Sequence, residues 1–111
     1  MLKKEHRLKS GSRIQQVRAA RPSWANRRLV LARLGGEQAA SRFAFVVSRR
    51  IGNAVTRNRV KRLLRAVVWQ HLPEIEGRWD VVLIARRSIR GATFMQVDRA
   101  VVDLFKQSGL L

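Results

Sequence analysis

The stretch RRIGNAVTRNRVKRLLR, residues 49 to 65, carries seven Lys or Arg and no Asp or Glu, yet Val60, Leu63 and Leu64 are threaded through it. A disordered basic tail has no use for those apolar residues, and a fully buried helix cannot carry that charge. On a helix over about 56–71, at about 100° per residue, Val60, Leu63, Leu64, Val67 and His71 share one side. Their spacing is that of a core stripe. Asn58, Lys61, Arg62, Arg65 and Trp69 fall on the opposite side, with Arg57 and Arg59 at the borders. The chain must therefore fold so that this helix docks by one face and presents cations on the other.

A solvated helix face normally mixes acids with bases at i, i+4, because like charges there cost ~0.2–0.5 kcal/mol per pair. Here the pairs Arg57–Lys61 and Lys61–Arg65 are alike. Something anionic must offset them, and Arg forks suit phosphate oxygens. The whole chain points the same way: 24 Lys and Arg stand against 7 acids in 111 residues, a formal net charge of +17. No acid lies between Gln38 and Pro73. With 46% hydrophobic residues, the chain still has enough apolar side chains for one small core. Nucleic acid is the leading partner. An anionic membrane surface is second, but that reading needs Trp or Phe exposed beside the Lys residues on an apolar stripe, which the central helix lacks.

RNA suits the helix better than DNA. A major-groove reader offers several Asn, Gln or Ser among its Arg residues, and this helix offers only Asn58 and Gln70. No helix and tight turn precede it, as a helix-turn-helix requires. A rigid cationic face fits a folded RNA.

Ser12 with Gln15 reads as a capping box for a helix over about 12–20, ended by Pro22. Residues 27–34 read as a strand followed by the turn Gly35-Gly36, and 42–48 as a second strand with Phe43, Phe45 and Val47 on one face. Gly52-Asn53 reads as a turn before the basic helix. The unbroken apolar run Val81 to Ala85 suits a central strand covered on both faces. Thr93 with Gln96 opens a last helix to about Gln107, with stripe Phe94, Val97, Val101, Leu104 and Phe105 and with Gly109 as its stop. The order α-β-β-α-β-α, with room for a further strand within 20–34, predicts an α+β fold: a two-layer sandwich of helices on one small mixed sheet. One domain spans 1–111, and residues 1–11 are expected as a flexible basic N-terminus. The start has no apolar core of a secretory signal, no run approaches the ~20 residues of a membrane span, and the chain has no cysteine, which is compatible with a reducing cytosol.

No autonomous active site is expected. Asp80, Asp98 and Asp103 do not form a carboxylate cluster of the kind two-metal hydrolysis needs, and no metal-ligand spacing or phosphate loop occurs. His71, on the apolar stripe, is expected to be partly buried and structural. Trp24 and Trp79 are expected to pack near strand starts. For Trp69, two readings stand: stacking on a base, or covering the helix end.

FAFVVSRRIGNAVTRNRVKRLLR, residues 43 to 65, closely resembles the bacterial ribonuclease P protein subunit family. That family shows an apolar strand ending in V-S-K/R-K/R, a G-x-A-V turn, and R-N-R-x-K-R-x-x-R on a helix. LKKEHRL near the start resembles its K-x-x-R-L, and WDVVLIARRS at 79–88 its D-V-V-x-I-A-R strand. The resemblance implies a left-handed β-α-β crossover around the basic helix, against the general right-handed preference. It also implies a cytoplasmic protein that binds a catalytic RNA and the 5′ leader of precursor tRNA, assisting removal of that leader. The RNA would carry the chemistry with Mg2+, and the protein alone would bind no cofactor and no small-molecule substrate. By motif match, Arg49, Arg50, Arg57, Asn58, Arg59, Lys61, Arg62 and Arg65 would contact RNA. The leader would lie in a cleft between the sheet and the first helix, assigned to Ile14, Arg18, Phe45, Ser48 and Trp69. The family usually places aromatics where this chain has Ile14 and Arg18. Stacking on an aromatic is worth ~1–3 kcal/mol per base, so leader contact here is expected to be weaker or more electrostatic. Composition and the amphipathic helix fit a ribosomal-protein-like structural RNA binder equally well, and only the R-N-R motif and its flanks favour ribonuclease P.

Overall fold

A computed structural model describes residues 2–111. The elements are α1 (Gly11–Ala19), β1 (Trp24–Ala25), β2 (Leu29–Gly35), β3 (Arg42–Val46), α2 (Ala54–His71), β4 (Trp79–Ala85) and α3 (Phe94–Gln107). The sheet order is β1-β2-β4-β3. β2 runs antiparallel to β1 and to β4, whereas β3 and β4 are parallel neighbours joined through α2. The further strand allowed for within 20–34 is β1.

β4 is interior to the sheet, and its apolar run serves two cores. Val81, Leu83 and Ala85 face α2 and α3, together with Leu29, Leu31 and Phe43. Val82 faces α1, where it joins Leu8, Val17, Ala32 and Ala44. The two-layer sandwich of α2 and α3 on a mixed sheet is thus present, and the short α1 adds a partial layer on the second face.

Local chemistry sets the element ends. The capping box of α3 forms as expected: Gln96 N donates to Thr93 Oγ1 at 3.2 Å, and Thr93 N to Gln96 Oε1 at 3.0 Å. α1 is capped by Ser10 rather than Ser12, with Arg13 N donating to Ser10 Oγ at 3.3 Å. Ser10 and Ser12 both match a cap, and the earlier one captures the helix start. α2 begins before the expected position 56, because Asn53 is its cap (Thr56 N to Oδ1, 2.9 Å) and not part of a free turn. Gly52 precedes it at φ 156°, ψ −166°, a conformation open essentially to glycine alone. A Cβ there would also lie 3.0 Å from the Thr56 side chain. Phe94 is in register with the α3 stripe but is 39% exposed. Angular register fixes a residue's direction and not how far the opposing core extends.

The flexible N-terminus expected over 1–11 is corrected for residues 2–10. Leu2 and Leu8 are buried, Leu8 N donates to Phe43 O at 2.9 Å, and Arg7 Nε and Nη2 hold Leu2 O at 3.1 and 2.9 Å. Leu2 joins the core under α2 and α3, and Leu8 the one under α1.

Asp80 is 1% exposed and joins three elements. Arg13 Nε donates to its Oδ2 at 2.8 Å, and Arg42 Nε and Nη2 to Oδ1 and Oδ2 at 2.9 and 2.8 Å. Burial alone would raise its pKa. The hydrogen bonds and charges of Arg42 and Arg13 outweigh burial and hold it below the ordinary carboxylate range. The two tryptophans pack as expected, with the Arg33 guanidinium 3.9 Å from the Trp79 ring and 5.1 Å from Trp24.

His71 is a structural link between α2 and α3, its Nε2 2.6 Å from Asp98 Oδ1 and its Nδ1 3.4 Å from Glu74 Oε2. Burial opposes the imidazolium, but the two carboxylates prevail and its pKa is raised. Because the folded value exceeds the unfolded one, this stabilisation is complete below about pH 6.5 and is lost as pH rises through the folded-state pKa. Urea titrations across that window are expected to show a decline of roughly 1 kcal/mol, flattened in His71→Gln. Equal decline in both proteins would remove His71 from this role.

Candidate nucleic-acid interface

The docking face of α2 is built from Val60, Leu64, Val67 and Val68, each at most 1% exposed. Val68 joins the stripe expected from spacing, and Leu63 is only half-buried. On the other face Asn58, Arg59, Arg62, Arg65 and Trp69 are exposed, and Arg57 and Lys61 are half-buried. Among the described residues, Arg49, Arg50, Arg57, Lys61, Arg62 and Arg65 form no ion pair. Arg59 is partly engaged, donating from Nη2 to Ala92 O at 3.2 Å ahead of α3. The cations used by the fold itself are elsewhere: Arg7, Arg13, Arg33 and Arg42 are tied to carbonyls or to Asp80.

Ile14 and Arg18, one turn apart on α1, each line a hollow against the sheet. The larger, about 680 Å³, has Val46, Ile84 and Ala85 as apolar lining and Arg18, Arg50, Arg86 and Arg87 as its cations, with Ser48 among them. The smaller, about 270 Å³, gathers Ile14, Phe45, Lys61 and Arg65 with Lys9 and Arg7. No Asp or Glu lines either hollow. Apolar surface with a cationic rim is what a single strand of nucleic acid requires: bases need a flat, dry contact and phosphates need fixed cations. Phe45 is half-buried, and packs on the core while also lining the smaller hollow.

The structure thus brings together Ile14, Phe45, Lys61 and Arg65 at one place and Arg18, Ser48 and Arg50 at another. It does not bring Trp69 to either. Trp69 is 49% exposed and lines a separate depression with Lys3, His6 and Leu72. It lies four residues past Arg65, a rise of about 6 Å along the axis, and that step carries it toward the N-terminal segment. Its assignment to the cleft is corrected.

Arg86 and Arg87 were missed. Their signal is the parallel pairing of β3 with β4, in which Val46 lies opposite Ile84. Chain ends that leave parallel strands at the same level emerge together, so Ser48–Arg50 and Arg86–Arg87 share one rim. Two arginines after an apolar strand show this only once the strand's partner and direction are known.

Among the described residues, no group of three or more His, Cys, Asp or Glu side chains is placed to hold a metal ion, and no helix is long and apolar enough to cross a membrane.

The sequence profile of the family Ribonuclease P matches residues 2–109. The ribonuclease P protein component of Bacillus cereus strain Q1 is 37% identical over 110 residues, covering 98% of this chain and 96% of the relative. That of strain 03BB102 is 38% identical over the same shares. Among solved structures, the RNase P protein of Staphylococcus aureus superposes with a TM-score of 0.87 at 28% identity, covering 95% of this chain and 96% of that one. The RNase P protein of Thermotoga maritima gives 0.82 at 25% identity, with 91% and 96% covered.

Proposed function

The chain belongs to the ribonuclease P protein family, and from that premise we propose that it binds the catalytic RNA of that endoribonuclease and the 5′ leader of precursor tRNA. It is a protein component of the holoenzyme that matures tRNA 5′ ends. The observation that carries the finer reading is the acid-free cleft beside α1, continuous in charge with the exposed face of α2. Arg49, Arg50, Arg57, Asn58, Arg59, Lys61, Arg62 and Arg65 meet RNA phosphates, and the hollows flanking Ile14 and Arg18 hold the leader. Arg86 and Arg87 join that set.

With Ile14 and Arg18 in place of aromatics, recognition in the cleft is largely electrostatic, aided by apolar contact with Val46 and Ile84. Such recognition tolerates any leader sequence, since phosphate contacts carry no base information. The cleft's own side chains do not fit Mg2+: no carboxylate lines either hollow, and Asp80, elsewhere on β4, is sequestered by two arginines. The protein's part is therefore to hold and to neutralise, and the Mg2+ of the holoenzyme belongs with the RNA. The same reading locates the protein in the cytoplasm, with precursor tRNA. A structural RNA binder unconnected with cleavage accounts for the charge but not for the family match.

The test is reconstitution. Protein alone is expected to leave precursor tRNA intact, and to raise cleavage by the matching RNA at low magnesium. Robust cleavage without RNA, or no effect on the RNA, contradicts the proposal. Arg62→Ala and Arg65→Ala are each expected to flatten the salt dependence of RNA binding by about one unit of slope, one phosphate contact apiece. Unchanged slopes would mean that this face of α2 lies outside the footprint.

A further inference from the structure

The cationic rim continues past the groove. β2 and β4 are antiparallel with Leu29 opposite Ala85, so residues before β2 meet residues after β4. Arg86 N donates to Arg28 O at 2.8 Å, Arg86 Nη1 to Asn26 O at 3.0 Å, and Ser88 Oγ to Arg27 O. These bonds fix Arg86, on the rim of the groove, against the loop that carries Arg27 and Arg28. On the far side of that loop lies a further hollow of about 320 Å³, lined by Arg27, Arg28, Arg99, Gln96, Asn26 and Asp103.

Three guanidinium groups here face one carboxylate, and that carboxylate is taken by amides. Asn26 Nδ2 donates to Asp103 Oδ2 at 3.0 Å, and Gln107 Nε2 to both of its oxygens at 3.1 Å. Among the described residues, none of Arg27, Arg28 and Arg99 forms an ion pair. Arg28 Nε is buried with no hydrogen-bond partner. Buried donors are nearly always satisfied, so Arg28, at the wall of the hollow, is a guanidinium whose donors the fold leaves partly unused. An Arg fork favours the paired oxygens of a phosphate.

We propose that this strand-end cluster of Arg27, Arg28 and Arg99 binds phosphates of leader nucleotides upstream of those in the groove, so that the protein responds to leader length as well as to leader presence. The occupant follows from continuity: a strand leaving the groove past Arg50 and Arg87 crosses Arg86 and arrives at Arg27 and Arg28. The proposal rests on the leader reading of the groove, and its test separates the two.

Arg27 and Arg99 are exposed, so Arg27→Gln/Arg99→Gln leaves the core intact. Holoenzymes with the natural protein and with this variant are compared on tRNA without a leader, with a leader only long enough for the groove, and with a long leader. With the natural protein, affinity is expected to rise at each step. The variant is expected to keep the first gain and to lose the second, roughly tenfold, the upper range for two exposed ion pairs. Its salt slope on the long leader should be shallower by about 1.4, two contacts at ~0.7 for a single strand. No first gain with the natural protein would defeat the leader reading and this proposal together. A first gain without a second, an equal loss on leaderless tRNA, or no change at any length would overturn this proposal alone.

Discussion

Asp80→Ala is expected to lower the unfolding free energy by about 3–5 kcal/mol, because three charge-assisted hydrogen bonds to a buried carboxylate are lost and two half-buried arginines are left without their counter-charge. Stability of a domain this size is on the order of 5–15 kcal/mol, so the variant should stand near the edge of folding. The loss is large because one carboxylate serves three elements: Arg13 from α1, Arg42 from β3, and its own strand β4. α1 forms a wall of the cleft and contributes Val17 alone as a fully buried side chain. Without Asp80 the helix keeps little to hold it. The same geometry sets a pH dependence. The folded-state pKa lies below the ordinary value, so the stabilisation is present above about pH 3.9 and disappears as pH falls through the folded-state value. Urea unfolding at neutral pH reads the first effect, and an acid titration the second. Asp103→Asn, at an exposed position, is the control and should change little. A loss under about 1 kcal/mol in Asp80→Ala would show that the two arginines find other partners.

Arg50→Gln/Arg87→Gln should act on function and spare the fold. Both side chains are exposed, line the larger hollow, and form no ion pair among the described residues. Holoenzyme containing this variant is expected to bind precursor tRNA about tenfold more weakly, with binding of mature tRNA within about twofold of the natural protein, on the scale of two ion pairs lost. The effect should shrink as salt rises, because released counterions supply much of the affinity. A matching loss for mature tRNA would move these arginines from the leader to the tRNA body or the catalytic RNA.

What could be read in advance was local. The division of α2 into a docking and a cationic face follows from charges and apolar residues a few positions apart, and the Thr93–Gln96 box needs only three residues between its ends. The apolar run of β4 announced burial on both faces. What could not be read was set by pairing at a distance. Asp80 looked unremarkable at a strand start until Arg13 and Arg42, far away in the chain, closed on it. Arg86 and Arg87 became part of the rim only through the parallel register of β3 and β4. Leu2 and Leu8 sit among basic residues whose charge suggested a free tail, and burial of two leucines outweighs that preference. Trp69 was read from its angle on the wheel, which carries no information about what lies one turn further along.

The claim that the cleft beside α1 holds the leader can be tested directly because the chain has no cysteine. A photo-crosslinker attached to Ser48→Cys, in holoenzyme with precursor tRNA, reports what lies over the larger hollow, while Lys106→Cys on α3 serves as a reference. Cross-links from position 48 to leader nucleotides, absent from position 106, are the predicted result. Cross-links from position 48 only to the catalytic RNA or to the tRNA body would contradict it.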